Sequence, residues 1–352
     1  MALLPSSRKE DIMDFKEYIE TIRHSVNAEI MKRMPLRQPY EHYKIARDYS
    51  ERMGSYRRPG LLMLCGEMFG ASKEELLLPA AAMQASEDWI LIHDDVEDDS
   101  EMRRGKPTLH KMYGIELAIN AGDAVHIVMW KLIKDYMVKA GIEAGGAFFD
   151  KFYDMMTYTV EGQFLETNFI YNVRDLSKGS EELYHRVINS KTCYYTVYGP
   201  MQLGAIVAGQ GEGVMEAFMD IGKPAGTAFQ IADDILDMTA DEKSFGKKRY
   251  GDLYEGKITL MMLHAYAHAA SGEKSQIDRI FKKNRADKTP EDISFLSGLI
   301  DKYKSLDYAR SQAEMYGKKA KEAVEKYWPL LPDNKYKEIL LSAIGELHVR
   351  KK

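Results

Sequence analysis

Two groups of aspartates with the same spacing are the residues of this chain best suited to chemistry. They are Asp94-Asp95-x-x-Asp98 and Asp233-Asp234-x-x-Asp237, and each follows an apolar run, Trp89–Ile92 or Phe229–Ala232. Carboxylates are rarely buried without partners, and burying several unpaired ones together is prohibitively costly. Six of them around one apolar cavity would need cations, and hard divalent cations prefer such oxygen ligands. The two groups therefore predict a divalent-metal site.

Basic residues follow both aspartate groups. Arg103-Arg104-Gly105-Lys106-Pro107 comes after the first group, and Lys247 and Lys257 come after the second. The planar fork of arginine suits bidentate phosphate contacts, and lysine supplies a point charge. Acids that need a metal beside bases that suit phosphate indicate a diphosphate site. Either acidic group alone would be read as a solvated helix face, and either basic group as a surface patch, so the repetition of the whole arrangement favours function.

Helical spacing assigns these aspartates to definite faces. Residues four apart share a face, so Asp94 lies over Asp98 and Asp233 over Asp237. The middle residues, Asp95 and Asp234, are rotated from them by about 100°, and we expect them to play a supporting part. Two such helices facing each other would place four to six carboxylates around a gap that metal ions and a diphosphate can bridge.

Helical periodicity dominates the rest of the chain, and strand-like alternation is hard to find. The capping-box sequence Ser72-Lys73-Glu74-Glu75 predicts a helix that runs to His93. Thr289-Pro290 predicts the start of another helix. We expect loops at 103–107, 171–180, 243–256 and 271–288. Because no linker rich in Pro, Gly or Ser divides the chain, we expect one all-helical domain over residues 1–352.

The composition is that of a globular protein, with 352 residues of which 45% are hydrophobic and 29% charged. A formal net charge of −5 gives no reason to expect nucleic-acid binding. Cys65 and Cys193 fit a reducing compartment, and neither has Cys or His at metal-ligand spacing. The first residues contain too short an apolar run for a signal peptide, and no run of about 18 apolar residues would span a membrane. We therefore expect a cytoplasmic protein.

The stretches LIHDDVEDDSEMRRGKPTLH and FQIADDILD…GK…GDLYEGKITL resemble the two aspartate-rich regions of trans-prenyl diphosphate synthases, the farnesyl and geranylgeranyl diphosphate synthase group. The resemblance covers roughly residues 40–265. It implies an all-α fold, an isoprenoid-synthase-type helical bundle around a deep central cavity. It also implies a homodimer and three Mg²⁺ ions.

The resemblance also implies roles for single residues. The principal metal ligands would be Asp94, Asp98 and Asp233, supported by Asp95, Asp234 and Asp237. The allylic diphosphate would be held by Arg103, Lys191, Lys247 and Lys257, with Thr192 and Gln230 matching the family's Lys-Thr and Phe-Gln pairs. The diphosphate of isopentenyl diphosphate would be held by Arg58 and Arg104.

The implied chemistry fits those roles. Cations neutralise the leaving diphosphate, so the allylic substrate ionises to a carbocation, which is Lewis-acid catalysis. The double bond of isopentenyl diphosphate attacks this cation, and a proton is then lost, with the departed diphosphate as a plausible base. Oxygens of Thr192 and Gln230 would stabilise the cation while water is excluded.

The sequence departs from the family at the isopentenyl diphosphate site. The family has a Gly-Lys-x-x-Arg segment, whereas this chain has Ser55 in place of the lysine and keeps Arg58. Seven positions before the first aspartate the family has His or Gln, and this chain has Glu87. A carboxylate facing a diphosphate is unfavourable. Either Arg57 compensates, or the second substrate is not isopentenyl diphosphate.

Product length is partly legible. In related enzymes the residue five positions before the first aspartate forms the cavity floor, and here it is Trp89, with Ile90 beside it. A helix rises about 1.5 Å per residue, which places Trp89 roughly 7.5 Å below the metal site. This favours C15–C20 products. The alternative is that Trp89 is an ordinary core residue.

Three other functions remain open. A class I terpene cyclase shares the fold, but such enzymes usually replace the second aspartate group with an Asn/Asp, Ser/Thr and Glu pattern. A prenyltransferase with a different acceptor is supported by Ser55 and Glu87. A non-catalytic partner subunit would be expected to have lost acids or the arginine pair Arg103-Arg104, and this chain keeps them.

Overall fold

The computed structural model describes residues 13–239 and 249–348, so Lys247 lies outside the described residues. In the first half the helices are α1 (Phe15–Arg33), α2 (Tyr40–Arg52), α3 (Arg57–Met68), α4 (Lys73–Glu97), α5 (Leu109–Tyr113), α6 (Ile115–Ala140) and α7 (Ile142–Asn168). In the second half they are α8 (Glu181–Ile188), α9 (Gly199–Val207), α10 (Glu212–Thr239), α11 (Gly251–Glu255), α12 (Leu260–His268), α13 (Ser271–Phe281), α14 (Pro290–Lys302), α15 (Ser305–Tyr327) and α16 (Lys335–His348).

The two predicted helix starts are confirmed. The Ser72 hydroxyl accepts from the Glu75 backbone N–H at 3.3 Å, and the Glu75 carboxylate accepts from the Ser72 backbone N–H at 2.8 Å. This reciprocal cap begins α4, which carries the first aspartate group at its other end. Thr289 caps α14, with Pro290 as its first residue.

The predicted loops hold only in part. Residues 103–107 belong to a small antiparallel hairpin, Met102–Arg103 with Lys106–Pro107. The loop expected over 271–288 is wrong, because 271–281 form α13. This helix has a cap and a buried face: Glu273 accepts from the Ala270 backbone N–H at 2.9 Å, and Ile277 and Phe281 are buried at helical spacing.

Two other expected loops also contain helix. Within 171–180, a π-helical turn (Phe169–Val173) extends α7 and a 3₁₀ turn (Leu176–Lys178) follows it. The described part of 243–256 contains α11. Short helical turns of this kind bury few residues, so they leave little periodicity in the sequence.

A π-helical segment, Asn189–Tyr198, joins α8 to α9 without a break. It packs closely against α10 because α10 presents glycines at the crossing. A Cβ atom at Gly226 would lie 2.7 Å from the Cα of Cys193, and one at Gly222 would lie 2.6 Å from the Cβ of Tyr198. Wider π turns often occur at functional sites, and this one carries Lys191 and Thr192.

The helices enclose two apolar cores. The first lies among α1, α3, α4, α6, α7 and α9, and the second among α8, α12, α13 and α14. Helix α10 belongs to both, with Phe218 and Ile221 in the first and Ile231 and Met238 in the second. It thereby holds the second aspartate group at the boundary between the two cores. None of the described helices combines the length and apolarity needed to cross a membrane.

Candidate active site

A cavity of about 920 Å³ lies between α4 and α10, and both aspartate groups reach it. Its lining includes Ser55, Arg57, Arg58, Glu87, Trp89, Ile90, Asp94, Arg103, Lys191, Thr192, Gln230 and Asp233. A smaller chamber of about 120 Å³ adjoins it and is lined by Asp98, Glu166, Asp234, Asp252 and Lys257. Four residues border both spaces: Asp94, Lys191, Thr192 and Gln230. Most of the residues predicted for the site are therefore brought together.

In the first group, Asp95 faces away from the cavity while its neighbours face it. Asp95 is 1% exposed, accepts a hydrogen bond from the Tyr49 hydroxyl at 2.6 Å and is bridged by the guanidinium of Arg103. Asp94 lines the cavity, and Asp98, the residue that follows α4, lines the adjoining chamber. Asp95 thus fixes Arg103 rather than facing the gap, as its rotation on the helix requires.

The second group also has a buried middle aspartate, although Asp234, unlike Asp95, borders the smaller chamber. Asp234 is buried, accepting from the Tyr184 hydroxyl at 2.8 Å and from the Gln230 amide at 2.9 Å. Asp233 lines the cavity. Asp237 accepts from the backbone N–H groups of Gly251 and Asp252, both at 3.1 Å, at the start of α11. In each group, then, a tyrosine hydroxyl anchors the middle aspartate.

Lysines on the same side are paired with further acids. Lys191 contacts Glu166, and Lys257 lies 2.7 Å from Glu255, 3.7 Å from Asp252 and 3.9 Å from Asp98. Thr192 donates to the Gln230 side-chain oxygen at 2.7 Å. Lys257 therefore connects the end of α4 with the segment that follows α10.

Burial, together with the excess of carboxylates over cations around this chamber, shifts the pKa values of two aspartates. Burial raises the pKa of Asp98 to about 7, with Asp94 and Glu255 raising it further and Lys257 opposing the shift. Burial likewise raises the pKa of Asp234 to about 7, against the hydrogen bonds from Gln230 and Tyr184. Buried oxygen ligands with excess negative charge suit hard divalent cations.

No three of the His, Cys, Asp and Glu side chains in 13–239 and 249–348 are close enough together to hold a metal ion among themselves. The acids face one another across the chamber instead. A metal there would need further oxygen ligands, such as those of a diphosphate. The donor set therefore fits a metal shared with a phosphorylated substrate.

We call the part of the cavity lined by Ser55, Arg58 and Glu87 the acceptor end, and it contains an arginine that is already paired. Arg58 lies 3.1 Å from Glu87, donates to the Thr196 hydroxyl at 2.9 Å and stacks over the Tyr195 ring. Arg57 lies over the Phe229 ring, 5.9 Å from its centroid. Ser55 also lines this end.

Arg104 is paired with Asp88, the residue next to Glu87. Their contact is 2.8 Å, and Arg104 also donates to the backbone carbonyl of Tyr49. A Cβ atom at Gly54 would lie 2.5 Å from the Arg104 guanidinium, so glycine leaves room for that side chain. Both arginines predicted to bind isopentenyl diphosphate therefore contact carboxylates of α4.

Trp89 and Ile90 line the cavity. The Trp89 ring stacks on His126 of α6, with centroids 3.9 Å apart and an angle of 11° between the planes. His126 in turn accepts from the Trp130 indole N–H at 2.8 Å. The position expected for the cavity floor thus has a braced aromatic ring.

Several residues in contact with the site were not singled out from the sequence. They are Tyr49, Asp88, Tyr184, Asp252 and Glu255. Asp252 and Glu255 stand beside Lys257 in the second motif, and this was a usable signal. The two tyrosines come from α2 and α8, far from the aspartates in sequence, and nothing local marks them.

The fold and the cavity define a class: an all-α prenyltransferase of the isoprenoid-synthase type. Residues 40–295 match the family model described as polyprenyl synthetase. The chain is similar to a geranylgeranyl diphosphate synthase of Sulfolobus acidocaldarius, at 32% identity over 87% of this chain and 90% of that one. It is also similar to an octaprenyl diphosphate synthase of Haemophilus influenzae, at 31% identity over 95% and 97%.

Among solved structures, the chain is similar to a polyprenyl synthase from Caulobacter crescentus complexed with calcium and isoprenyl diphosphate. The TM-score is 0.80 at 26% identity, covering 96–97% or more of both chains, with 97% of this chain and 100% of that one. This chain belongs to the polyprenyl synthetase family and is a prenyltransferase of isoprenoid biosynthesis.

Proposed function

We propose that this prenyltransferase condenses an allylic diphosphate with isopentenyl diphosphate to give a short-chain, C15–C20 prenyl diphosphate. One observation carries the proposal: both aspartate groups border a single cavity whose two spaces share Asp94, Lys191, Thr192 and Gln230. A diphosphate at that junction would meet acids from α4 and α10 together with a lysine. The relatives named as prenyl diphosphate synthases support the same reaction.

We propose Asp94, Asp98 and Asp233 as the residues that hold Mg²⁺, with three ions as the expected number. Bound there, Mg²⁺ would supply Lewis-acid neutralisation of the leaving diphosphate. Asp95 and Asp234 act through their neighbours, since each is buried against a tyrosine. Asp237 supports α11 through its backbone contacts. The calcium and isoprenyl diphosphate bound by the Caulobacter crescentus relative support this assignment.

Cationic side chains hold the allylic diphosphate in this proposal. Lys191 and Lys257 border the chamber, and Arg103 lines the cavity while Asp95 fixes its guanidinium. Each lysine is paired with an acid, so it is positioned before a substrate arrives. Lys247 is assigned to this set from its place in the motif.

The carbocation that forms on ionisation meets the polar groups at the same junction. Thr192 and Gln230 are hydrogen-bonded to each other, which directs their oxygens in a fixed way. Their oxygens would stabilise the developing positive charge. The double bond of the acceptor then attacks, and the released diphosphate takes the proton. The apolar walls exclude water that would otherwise trap the cation.

Trp89 is the proposed floor that stops chain growth, with Ile90 beside it. The stacking on His126 supports this role, because a braced ring cannot easily swing aside for a longer product. The similarity to an octaprenyl diphosphate synthase shows that longer products occur among relatives of this length.

We propose one domain over residues 1–352, a homodimer and a cytoplasmic location. The participation of α10 in both cores supports one domain. Exposed apolar side chains on α6 and α7 support the dimer; examples are Ile119, Ile127, Tyr153 and Phe164. Both cysteines are free thiols, which fits a reducing compartment.

Transfer of the prenyl group to a different acceptor is the second candidate. The Glu87 carboxylate supports it, because Glu87 is 5% exposed, borders the cavity and places one oxygen where no donor of the described residues reaches it. A hydroxyl or amino group on an acceptor would supply that donor. A class I cyclase gains no comparable support, since the second group keeps three aspartates at 233, 234 and 237. A non-catalytic subunit gains none, since both aspartate groups border the cavity.

The test is incubation with Mg²⁺, labelled isopentenyl diphosphate and dimethylallyl, geranyl or farnesyl diphosphate in turn. Elongation predicts labelled products five carbons longer than the primer. Consumption of the allylic diphosphate without label in the product would favour another acceptor or cyclisation.

A further inference from the structure

The acceptor end of the cavity contains two buried carboxylates that differ in how they are bound. Asp88 accepts from Arg104 at 2.8 Å, Gln84 at 2.9 Å and Ser50 at 2.7 Å. Three donors fix it in the protein. Asp88 is therefore a structural partner that orients Arg104.

Glu87 has far fewer constraints. Glu87 Oε1 lies 3.1 Å from the Arg58 guanidinium and 3.9 Å from that of Arg104. Its Oε2 is buried, and no donor among residues 13–239 and 249–348 reaches it. Unlike Asp88, Glu87 borders the cavity. It is the carboxylate that a ligand at this end would displace.

Both terminal nitrogens of Arg58 already have partners, whereas its buried Nε has none among the described residues. One terminal nitrogen faces Glu87, the other donates to Thr196, and the guanidinium lies over the Tyr195 ring. An acceptor diphosphate would compete with Glu87 for the nitrogen that faces it. Arginine–phosphate and arginine–carboxylate pairs use the same kind of donor, so the two anions would compete for the terminal nitrogen that faces Glu87.

We propose that Glu87 is a specificity-determining residue that occupies Arg58 in place of the acceptor diphosphate, so that this diphosphate binds only by displacing the Glu87 carboxylate. The inference rests on the proposed function for the identity of the acceptor. The Glu87 carboxylate thereby lowers the affinity of the acceptor end for a diphosphate. Acceptors with less negative charge are then disfavoured less than isopentenyl diphosphate is.

The expected effect of the Glu87 charge on acceptor binding follows from the strength of charge interactions at short range. Two unit charges about 4 Å apart near a protein surface interact by several kcal/mol before solvation is counted, and net values are far smaller. We expect removal of the Glu87 charge to tighten acceptor binding by about 10-fold to 100-fold. Binding of the allylic substrate should change by less than about 2-fold, because the cations near Glu87 are Arg58 and Arg104, whereas Arg103, Lys191 and Lys257 pair with other acids.

The experiment is calorimetric titration of the full chain with isopentenyl diphosphate in EDTA, so that metal-dependent binding at the aspartates does not contribute. The variants are Glu87→Gln, Arg58→Gln and the double variant. Glu74→Gln, an exposed position on the same helix, is the matched control. The double-variant cycle isolates the coupling between the two side chains.

Tighter binding in Glu87→Gln that disappears in the Arg58→Gln background supports the inference. Unchanged or weaker binding in Glu87→Gln overturns it. Equal tightening in the Arg58→Gln background also overturns it, because Glu87 would then act through the general field and not through Arg58.

A structure of the unmodified protein with isopentenyl diphosphate in EDTA gives a test that needs no variant to fold. The inference expects a phosphate oxygen on Arg58 and Glu87 moved out of hydrogen-bond range. A phosphate on Arg58 with Glu87 unmoved contradicts it. These experiments measure binding and are independent of product formation. Tighter binding of isopentenyl diphosphate by Glu87→Gln, with no product from the unmodified enzyme, would contradict the proposed function alone. Product formation with unaltered binding in Glu87→Gln would contradict the inference alone.

Discussion

The two ends of the cavity use charge in opposite ways. At the aspartate end, Asp94, Asp98, Asp234 and Asp252 border a chamber that has Lys191 and Lys257 as its cations, and Asp233 lines the adjoining cavity. At the acceptor end, Arg58 and Arg104 are matched by Glu87 and Asp88. One end therefore has unmet negative charge, and the other neutralises itself.

This difference implies that the aspartate end attracts metal ions, whereas the acceptor end limits which anions can bind. Excess buried carboxylates are tolerable only if cations arrive, so the aspartate end should depend strongly on metal. At the acceptor end both arginines already contact carboxylates, so any anion must compete with the chain's own acids. Variants at the two ends should therefore fail in different ways.

The largest effect should come from the aspartate end. Asp94→Asn removes a proposed metal ligand from the junction of the two spaces, and kcat should fall by about 100-fold to 1,000-fold, as for the loss of other preorganised electrostatic groups. Steady-state assays at saturating Mg²⁺ measure this. Asp150→Asn, at an exposed position of α7, is the control. Near-normal turnover in Asp94→Asn would show that the acid surplus is not catalytic.

Loss of Lys257 should destabilise the metal-free protein. Lys257→Met leaves Glu255, Asp252 and Asp98 without their shared cation, and we expect a loss of about 2–3 kcal/mol, toward the lower range for a broken buried pair. Chemical unfolding in EDTA measures it. If Lys257→Met were as stable as the unmodified protein, the chamber would not be short of positive charge.

The stability of the metal-free protein should depend on pH in a distinctive direction. Asp98 and Asp234 have their pKa raised to about 7, from an ordinary 3.8, so the folded state holds protons there that the unfolded state has lost. Their contribution is present below pH 4 and is lost as the pH rises toward and through 7, by up to about 1.4 kcal/mol per pH unit for each group.

Unfolding at a series of pH values in EDTA tests this, with Asp234→Asn as the comparison. The variant should show a shallower loss of stability between pH 5 and 7. The same slope in both proteins would mean that Asp234 keeps an ordinary pKa.

A smaller effect should distinguish the two aspartate groups. Tyr184→Phe and Tyr49→Phe each remove one hydroxyl from a buried middle aspartate, a loss of about 1 kcal/mol. We expect Tyr184→Phe to cost more, because Asp95 keeps the charged Arg103 guanidinium whereas Asp234 keeps the neutral Gln230 amide. Urea unfolding of both variants gives the order. A larger loss in Tyr49→Phe would contradict the assigned anchoring.

Trp89→Ala should leave both ends intact and change only the product. Removing the ring and its stacking on His126 opens the floor, so the product should lengthen by at least one five-carbon unit. Chromatography of the products shows it, with kcat/KM for short primers within a few-fold of the unmodified enzyme. Products of unaltered length would show that Trp89 is an ordinary core residue and does not limit chain growth.

Much of this site was legible in the sequence because its residues are local. Each aspartate group lies within or at the end of one helix, so spacing alone places Asp94 over Asp98 and turns Asp95 away from them. The capping box at Ser72 marks the start of α4 for the same reason. Such features depend on neighbours along the chain.

The remainder depends on contacts between distant segments. Tyr49 and Tyr184 anchor the middle aspartates from α2 and α8, and Glu87 meets Arg58 from α3. The sequence identifies Glu87 as an unfavourable charge but does not show that Arg58 is its partner. The helix over 271–281 was missed because its buried face is short, with Ile277, Ile280 and Phe281 as its apolar residues.

The most direct test of the account is transfer of label from isopentenyl diphosphate to an allylic primer in the presence of Mg²⁺. The account predicts a labelled prenyl diphosphate, one diphosphate released for each bond formed, and loss of this activity in EDTA and in Asp94→Asn. Metal-dependent consumption of the allylic diphosphate with no label in any product would contradict it.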